Sequence, residues 1–377
     1  MRGLFLAAAA VAASMVSAWA GAAAPPAPLY LAPGASDTSR CTRSAPCASF
    51  DRAYHVARPG QQVLLAAGTY PRQDISADAS KRSPADVVFL PAPGAKVVVA
   101  DLNVKAQHLE IRGVRINEFW TTDVSVVDVT FRNVVAPGFI ISSSRNVRVL
   151  GGSYGPSVDD KPQVAAWPDD IEPRDILIDG VSFHDMTRSD GAVHTECLQF
   201  GAGNGLVVRN SRFRHCDIMN IHFGHWGSTP DPRNIVVENN FFSTSTDAAG
   251  NETYYSLMLR GAWSNSLIRN NSATQPMIVN VYGGGGKNIR MVGNVAPADK
   301  CDSRVTYSHN VWLGRKCGPT DKSVSSLGFV DASKLDLHLR PGSPAVGAGD
   351  PKNFPARDID GQRRPAGLPE AGADELR

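Results

Sequence analysis

The chain contains 377 residues, of which 20% are charged, and its formal net charge at pH 7 is +2. Such a balanced charge, with no long like-charge tail, gives no electrostatic basis for binding a phosphate backbone, so we expect no nucleic-acid partner. About 350 residues follow the first 24, enough for one large domain with an extensive core.

The N-terminus has the composition of a secretory signal peptide. Residues 1–24 comprise Arg2, a run of apolar and small residues, and small residues suited to cleavage. The run is too short and too rich in alanine for a good membrane span, and no second run of spanning length follows. We therefore expect a secreted, soluble protein without a membrane span, in which residues 25–44 form a linker into the folded part.

Six cysteines follow the signal segment. An even number in an exported chain favours disulfides over metal ligation, and the chain lacks the CxxC spacing of a zinc site. Short separations in the chain make Cys41–Cys47 and Cys301–Cys317 the first predicted pairs. The third predicted pair, Cys197–Cys216, depends on the register of two neighbouring strands.

A repeat of nearly constant length organises the middle of the chain. Segments 146–154, 175–183, 205–213 and 234–242 each contain two apolar residues, a turn pair and then an aromatic residue. Their first hydrophobic positions, 29, 30 and 29 residues apart, are Val147, Ile176, Leu206 and Ile235. Val and Ile dominate and no helical periodicity persists, so each repeat is a strand-based coil that must stack on its neighbours.

The residues at the turns indicate how the coils close. Asn tolerates the left-handed backbone of a sharp turn, and its amide can hydrogen-bond the same turn one coil away. Such residues are Asn210, Asn239, Asn240, Asn270, Asn271, Asn294 and Asn310. An internal aromatic column is predicted from Phe183, Phe213 and Phe242. The predicted fold is an all-β, single-domain right-handed parallel β-helix over residues 45–345, with an N-terminal capping helix and a closing segment at 346–377.

Both ends of the chain carry recognisable segments. PCASFDRAYHVARPGQQVLLAAGTY (46–70) is similar to the start of many secreted proteins of the pectate-lyase-like β-helix superfamily. LHLRPGSPAVGAGD, DIDGQRRP and AGADE resemble the closing segment of the same superfamily. The resemblance covers residues 29–375 and implies the fold rather than one activity. Independently, the apolar helix face that would cover the open first coil consists of Phe50, Ala53, Tyr54 and Ala57.

A second strand in each coil is predicted to carry a polar outer face. In segments 196–200, 219–223, 255–259 and 278–282, alternate apolar residues would point inward and the residues between them outward. The predicted outward column is Gln199, His222, Met258 and Asn280. Coils stack about 4.8 Å apart, so these side chains would touch. The long segments 155–175, 224–233 and 243–255 would wall a groove for a linear polymer beside this column.

Side chains that can transfer protons are concentrated on this predicted face. HTECLQ (194–199) matches a loose His-x-acid-x-x-Gln pattern that resembles one found in sugar-processing β-helix proteins. Glu196 or Asp217 would orient His194 or His222, leaving an imidazole that moves protons near neutral pH. For this role we expect His222 to be accessible.

The leading hypothesis for these residues is β-elimination in a uronic-acid polymer. It needs a base for the proton α to the sugar carboxylate and a cation that stabilises the enolate. His222 is the predicted base, Arg260 or a bound Ca²⁺ the predicted neutraliser, and Tyr282 the predicted acid. Ca²⁺ is the one cofactor considered, and no metal ligands are assigned. The predicted sugar contacts are Gln199, His225, Trp226, Asn280 and Tyr282.

Other functions fit the same residues. A glycoside hydrolase needs two carboxylates across the scissile bond, for which Glu196 and Asp217 are the pair on this face, and an epimerase is a further alternative. The alternative of a different class is a non-catalytic, glycan-binding or cell-surface β-helix with solvated histidines. Trp226 and Trp263 would then stack on sugars or pack under loops. In each case we expect a monomer whose partner is a polysaccharide or glycan.

Overall fold

A computed structural model of the chain describes residues 26–159, 161–187, 195–225, 229–243, 254–280 and 286–376, with residue 280 described by its backbone alone. The predicted signal peptide lies outside the described residues. Within these ranges no helix is long and apolar enough to cross a membrane. The described chain instead winds through three parallel sheets, visited in a fixed order in each coil.

The first sheet contains the strand that opens each coil. It has 12 strands, each parallel to its neighbour. In chain order they are Leu29–Leu31, Gln62–Leu65, Val87–Pro91, Gln107–Arg112, Val127–Arg132, Arg145–Leu150, Arg174–Asp179, Asn204–Arg209, Arg233–Glu238, Ser264–Arg269, Lys287–Val292 and Val305–Ser308. Sequential strands in this list are about one coil apart along the chain, which is the pattern of a solenoid.

The second and third sheets contain the strands that follow. The second consists of Gly68–Tyr70, Val135–Ala136, Ser153–Tyr154, Ser182–Met186, Arg212–Cys216, Phe241–Phe242, Ser272–Ala273, Val295–Pro297, Val311–Leu313 and Lys322–Val324. The third consists of Gln73–Ile75, Gly138–Ser142, Gln163–Ala165, Leu198–Phe200, Met219–Phe223, Tyr255–Arg260 and Met277–Asn280. Two long strands, Val97–Val104 and Arg115–Thr121, pair in both sheets. The predicted fold class, a right-handed parallel β-helix, is confirmed.

The predicted repeat sets the register of the first sheet. Leu206 pairs with Ile176 on the preceding coil and with Ile235 on the following one, so equivalent apolar residues stack inside the coil. The predicted aromatic column also forms. The ring of Phe213 lies 4.7 Å from that of Phe183 and 5.0 Å from that of Phe242, measured between centroids. These rings are fully buried and fill the interior over three successive coils.

The asparagines at the turn after the first sheet fall into two groups with different roles. Asn210, Asn239 and Asn270 have positive φ angles of 52°, 61° and 49°, which is the left-handed backbone that the turn requires. The second group forms what we call the amide ladder, in which each asparagine follows a residue of positive φ and which runs through Asn240, Asn271, Asn294 and Asn310. Each ladder amide donates to the oxygen of the next at 2.9–3.0 Å.

A short helix covers the first coil, as predicted. It spans Phe50–Val56, and the Ser49 side chain accepts a hydrogen bond from the amide of Arg52. Phe50 stacks on Phe89 of the first sheet at 4.9 Å. The helix ends one residue before Ala57, which is nevertheless buried, so the predicted apolar face packs on the coil.

The C-terminal part of the chain packs beside the last coils. Phe329–Asp331 pairs antiparallel with Asp336–Leu339, and a 3-10 turn at Ala332–Lys334 joins them. Farther along, the buried Arg364 pairs with Glu375 and donates to the Asn239 side chain. The closing segment is thereby tied to the turn that carries the amide ladder.

All three predicted disulfides form. They are Cys41–Cys47, Cys197–Cys216 and Cys301–Cys317, and the described part of the chain contains no free cysteine. Three disulfides are consistent with an extracellular protein, since such bonds persist in oxidising compartments.

Candidate functional site

The third sheet displays one outward column of side chains across the coils. In strand register the column reads Trp120, Ile140, Gln163, Gln199, His222, Met258 and Ile278. The predicted neighbours Gln199, His222 and Met258 are therefore confirmed as successive members. The column is polar over three coils only, and apolar or aromatic residues occupy it on both sides.

One predicted member of the column is wrong. Asn280 pairs with Arg260, and Ile278 occupies the position beside Met258. The strand is therefore shifted by two residues relative to the predicted register. Alternation has a period of two, so Val279 points inward in either register and the apolar pattern does not distinguish them.

The polar part of the column is built around a buried carboxylate. The Nε2 group of Gln199 donates to Glu196 Oε2 at 2.5 Å, and Nδ1 of His222 lies 3.7 Å from Glu196 Oε1. Only 1% of Glu196 is exposed. Gln163, one coil earlier, extends the network, because its Nε2 lies 3.4 Å from Gln199 Oε1. Glu196 therefore lies beside His222, as one of the predicted carboxylate–imidazole combinations requires, and its orienting role stays a prediction.

The expected accessibility of His222 is not met. Only 7% of the residue is exposed, and less than 1 Å² of either ring nitrogen is in contact with solvent. Alternation correctly assigns the side chain to the outer face, but outward direction does not determine exposure. Residues that flank the strands can cover an outer face, and the period-two pattern contains no information about them.

A disulfide joins the residues next to the two predicted carboxylates on neighbouring coils. Cys197 follows Glu196, Cys216 precedes Asp217, and the two cysteine Cα atoms are 5.3 Å apart. Asp217 is 2% exposed. The sequence placed Asn220 one step before the column without a role; it is fully buried, and its Nδ2 lies 3.0 Å from Cys216 Sγ. Sequence reasoning missed Gln163, which the register with Gln199 would have revealed.

Two of the predicted residues lie at the far end of this face. Arg260 is exposed at the end of its strand, and its carbonyl accepts a hydrogen bond from the Trp263 indole. His225, on the preceding coil, lies close to Gly261, since a Cβ built there would be 3.4 Å from the His225 Cβ. His225 Nδ1 is 3.4 Å from Asp231. An exposed guanidinium and a half-buried imidazole therefore share this end.

Some of the other predicted site residues are described by the structure and some are not. His194, Trp226 and Tyr282, and the side chain of Asn280, lie outside the described residues. Trp263 is fully buried against Phe223, so it packs in the core and does not stack on a sugar. Among the described residues, one group of three side chains could hold a metal ion. It consists of His338, Asp360 and Asp374, which lie in the closing segment and not on the third sheet.

Known structures similar to this chain include three lyases of low sequence identity. No protein-family model and no curated protein matches the chain. One of the three lyases is pectate lyase Pel9A, which is 14% identical; the match covers 94% of this chain and 97% of the lyase with a TM-score of 0.45. A rhamnogalacturonan lyase is 12% identical, and the match covers 91% of this chain and 96% of the lyase with a TM-score of 0.43. The PL6 family alginate lyase AlyGC is 14% identical, and the match covers 73% of this chain and 52% of the lyase with a TM-score of 0.32.

These likenesses concern the fold alone, because the identities are 14% or lower. The strand pairings of this chain themselves establish the parallel β-helix that the resemblance of its two terminal segments implied. Function must therefore be argued from the side chains of the third sheet.

Proposed function

We propose that this protein is a secreted polysaccharide lyase that cleaves a uronic-acid-containing polymer by β-elimination along the outer face of the third sheet. The observation that carries the proposal is the contact of His222 and Gln199 with the buried carboxylate of Glu196. Other coils place Ile140, Met258 or Ile278 at the same register position. Burying titratable groups costs free energy that these apolar residues avoid, and such groups concentrate at functional sites.

The proposed chemistry assigns one role to each group. Glu196, whose Oε1 lies 3.7 Å from Nδ1 of His222, orients the ring, and Nε2 takes the proton α to the sugar carboxylate. The guanidinium of Arg260 stabilises the negative charge of the enolate. The carbon–oxygen bond to the next sugar then breaks, and Tyr282 gives a proton to the leaving oxygen. The product carries a carbon–carbon double bond in its terminal uronate.

Location, partner and stoichiometry belong to the same proposal. The composition of residues 1–24 and the three disulfides support secretion. The partner is the polysaccharide itself, and the protein acts as a monomer in which a single outer face contacts the polymer. Mass determination of the secreted protein tests the first point, since cleavage near residue 24 removes the apolar segment.

The test of the reaction is incubation of the purified protein with pectate, alginate and other uronate polymers. A lyase produces ultraviolet absorbance from the unsaturated uronate, and His222→Gln or Glu196→Gln should lower that rate by at least about 100-fold. His55→Gln, on the capping helix, is the matched control and should retain the wild-type rate. Unchanged activity in His222→Gln would remove the assigned base. Release of reducing ends without unsaturation would instead indicate a hydrolase using Glu196 and Asp217.

The second candidate function is glycan binding without catalysis. It is favoured by the low exposure of His222, whose ring nitrogens are shielded from solvent. In that case the protein binds an immobilised uronate polymer, releases no product, and loses affinity in Arg260→Ala, because Arg260 is the exposed cation at the end of the face. Binding that persists with no turnover on any polymer would favour this candidate over the lyase.

A further inference from the structure

A second set of polar side chains lies on the outer side of the second sheet, separate from the residues assigned above. The Oγ atom of Ser153 is 2.8 Å from Nε2 of His184. The other ring nitrogen of His184, Nδ1, is 2.7 Å from Oδ2 of Asp185. A hydroxyl, an imidazole and a carboxylate are therefore connected in series by two hydrogen bonds.

The backbone explains how these residues meet. Ser153 and Tyr154 pair with Ser182 and Phe183 on the next coil, so His184 comes next to Gly155 in the register. A Cβ at Gly155 would lie 1.8 Å from the His184 carbonyl oxygen and 3.3 Å from its Nδ1. A side chain at this position would overlap the His184 backbone and crowd its ring, so the glycine allows the two coils to approach here.

Asp185 departs from the alternation of its strand. Its φ of 56° is left-handed, which allows consecutive residues to contact each other on the same side of the sheet. Its second oxygen, Oδ1, is 2.6 Å from Nδ1 of His215 on the following coil. Burial acts to raise the pKa of Asp185, but hydrogen bonds from His215 and His184 outweigh it and hold the pKa below its usual value.

The hydrogen bonds determine the tautomer. A carboxylate can only accept, so His184 Nδ1 carries the proton donated to Asp185, and the Nε2 lone pair of the neutral ring accepts the Ser153 hydroxyl proton. The group is also approachable. The exposed fractions of the His184 and Asp185 side chains are 19% and 46%, and Ser153 is half-buried.

We propose that Ser153, His184 and Asp185 form a second catalytic site that hydrolyses small acyl esters of alcohols. Nucleophile, base and orienting carboxylate stand in the order that defines a serine hydrolase triad by geometry, whatever the fold or the positions in the chain. Arg214, an exposed residue paired with His184 on the following coil, is the cation nearest in register for the oxyanion.

The proposed reaction has two balanced halves. Ser153 Oγ bonds to the ester carbonyl carbon while its proton passes to His184 Nε2. The carbon–oxygen bond to the alcohol then breaks, and His184 returns that proton to the departing oxygen. Water next attacks the acyl-serine, gives one proton to His184, and releases the carboxylic acid as Ser153 recovers its proton.

The experiment uses the full mature protein with p-nitrophenyl acetate as substrate and a fluorophosphonate as covalent probe. We expect slow turnover and labelling that peptide mapping places on Ser153. Ser153→Ala should abolish labelling and lower turnover at least about 100-fold. Ser182→Ala is the matched control, because this serine occupies the same register position one coil later, and it should behave as wild type.

Asp185 positions His184 and does not contact the ester, so its role is tested by measuring kcat and KM separately. Asp185→Asn should lower kcat with little change in KM, because the wrong tautomer weakens the base without removing the ester-binding surface. Absence of both labelling and turnover in the wild type, labelling of a serine other than Ser153, or equal rates in Ser153→Ala and wild type would each overturn the proposal. None of these outcomes involves a uronate polymer, so they are independent of the lyase assay.

Discussion

The amide ladder and the outer column of the third sheet use buried polar residues in opposite ways. The ladder repeats one residue type at Asn240, Asn271, Asn294 and Asn310, and each amide bonds to the next. The column changes residue type at nearly every coil, with Gln199 and His222 polar and Met258 apolar. Regular repetition indicates a structural role, whereas local departure from the repeat marks a candidate site.

The reason for the difference lies in charge and hydrogen-bonding capacity. A neutral amide donates and accepts, so a column of asparagines satisfies itself at each coil without charge. Glu196 has only acceptor oxygens when ionised, and it depends on Gln199 and His222 at this one level. Substitutions in structural networks should therefore affect stability and leave activity intact, while those at the candidate site should do more to activity.

The largest expected loss of stability is at Arg364, whose side chain is fully buried. Arg364→Met should lower the free energy of unfolding by about 3–5 kcal/mol, because it leaves Glu375 buried without its partner. Denaturant titration measures the change. Arg72→Met, which removes an exposed partner of Asp74, is the control and should unfold close to wild type. A loss at Arg364 no larger than the control would show that the closing segment does not depend on the pair.

The ladder itself should be the next most sensitive. Asn271→Ala removes hydrogen bonds to Asn240, Asn294 and the carbonyl of Val237, all buried, so we expect a loss of about 2–4 kcal/mol. Asn103→Ala deletes an exposed amide and is the control. Activity per folded molecule should be unchanged in both. A specific loss of activity in Asn271→Ala would contradict the division between structural and functional polar residues.

His222 tests the other side of the comparison. Its side chain points outward but is buried, so its removal should affect stability. His222→Ala should lower the free energy of unfolding by about 1–3 kcal/mol, because Glu196 loses a buried partner. His222→Gln, which keeps a polar group, should recover part of this loss without recovering activity. Equal stability of both variants and wild type would indicate that Glu196 does not depend on His222.

These predictions also show how far the sequence determines the structure. The repeat positions Ile176, Leu206 and Ile235 were enough for the fold, because stacking requires an equivalent apolar residue in every coil. The register that joins Gln199 to His222 followed from alternation. The position of Asn280 did not, since a shift of two residues preserves alternation. The meeting of Ser153 with His184 was also missed, because it depends on the left-handed backbone at Asp185 and the approach of the two coils at Gly155.

The smallest expected effect concerns a titratable contact in the closing segment. Burial acts to lower the pKa of His338, but its hydrogen bonds to Asp336 and Asp360 and the nearby charge of Asp374 outweigh it and raise the pKa above 6.5. Asp360 also pairs with Arg212, whose Nη2 lies 2.7 Å from Oδ1 of Asp360. A raised pKa in the folded state means that the folded protein holds the proton more tightly than the unfolded chain does.

The stability from His338 is therefore fully present below its unfolded pKa and is lost as pH rises through its folded pKa. Since 36% of the side chain is exposed, screening should keep the contribution below about 1 kcal/mol. His338→Gln should destabilise the protein more at about pH 5.5 than at about pH 8.5, as measured by denaturant titration at both values. Asn271→Ala is the contrasting control, because a neutral ladder amide should cost the same at both pH values. A pH-independent cost at His338 would show that this contact belongs with the ladder as a neutral structural element.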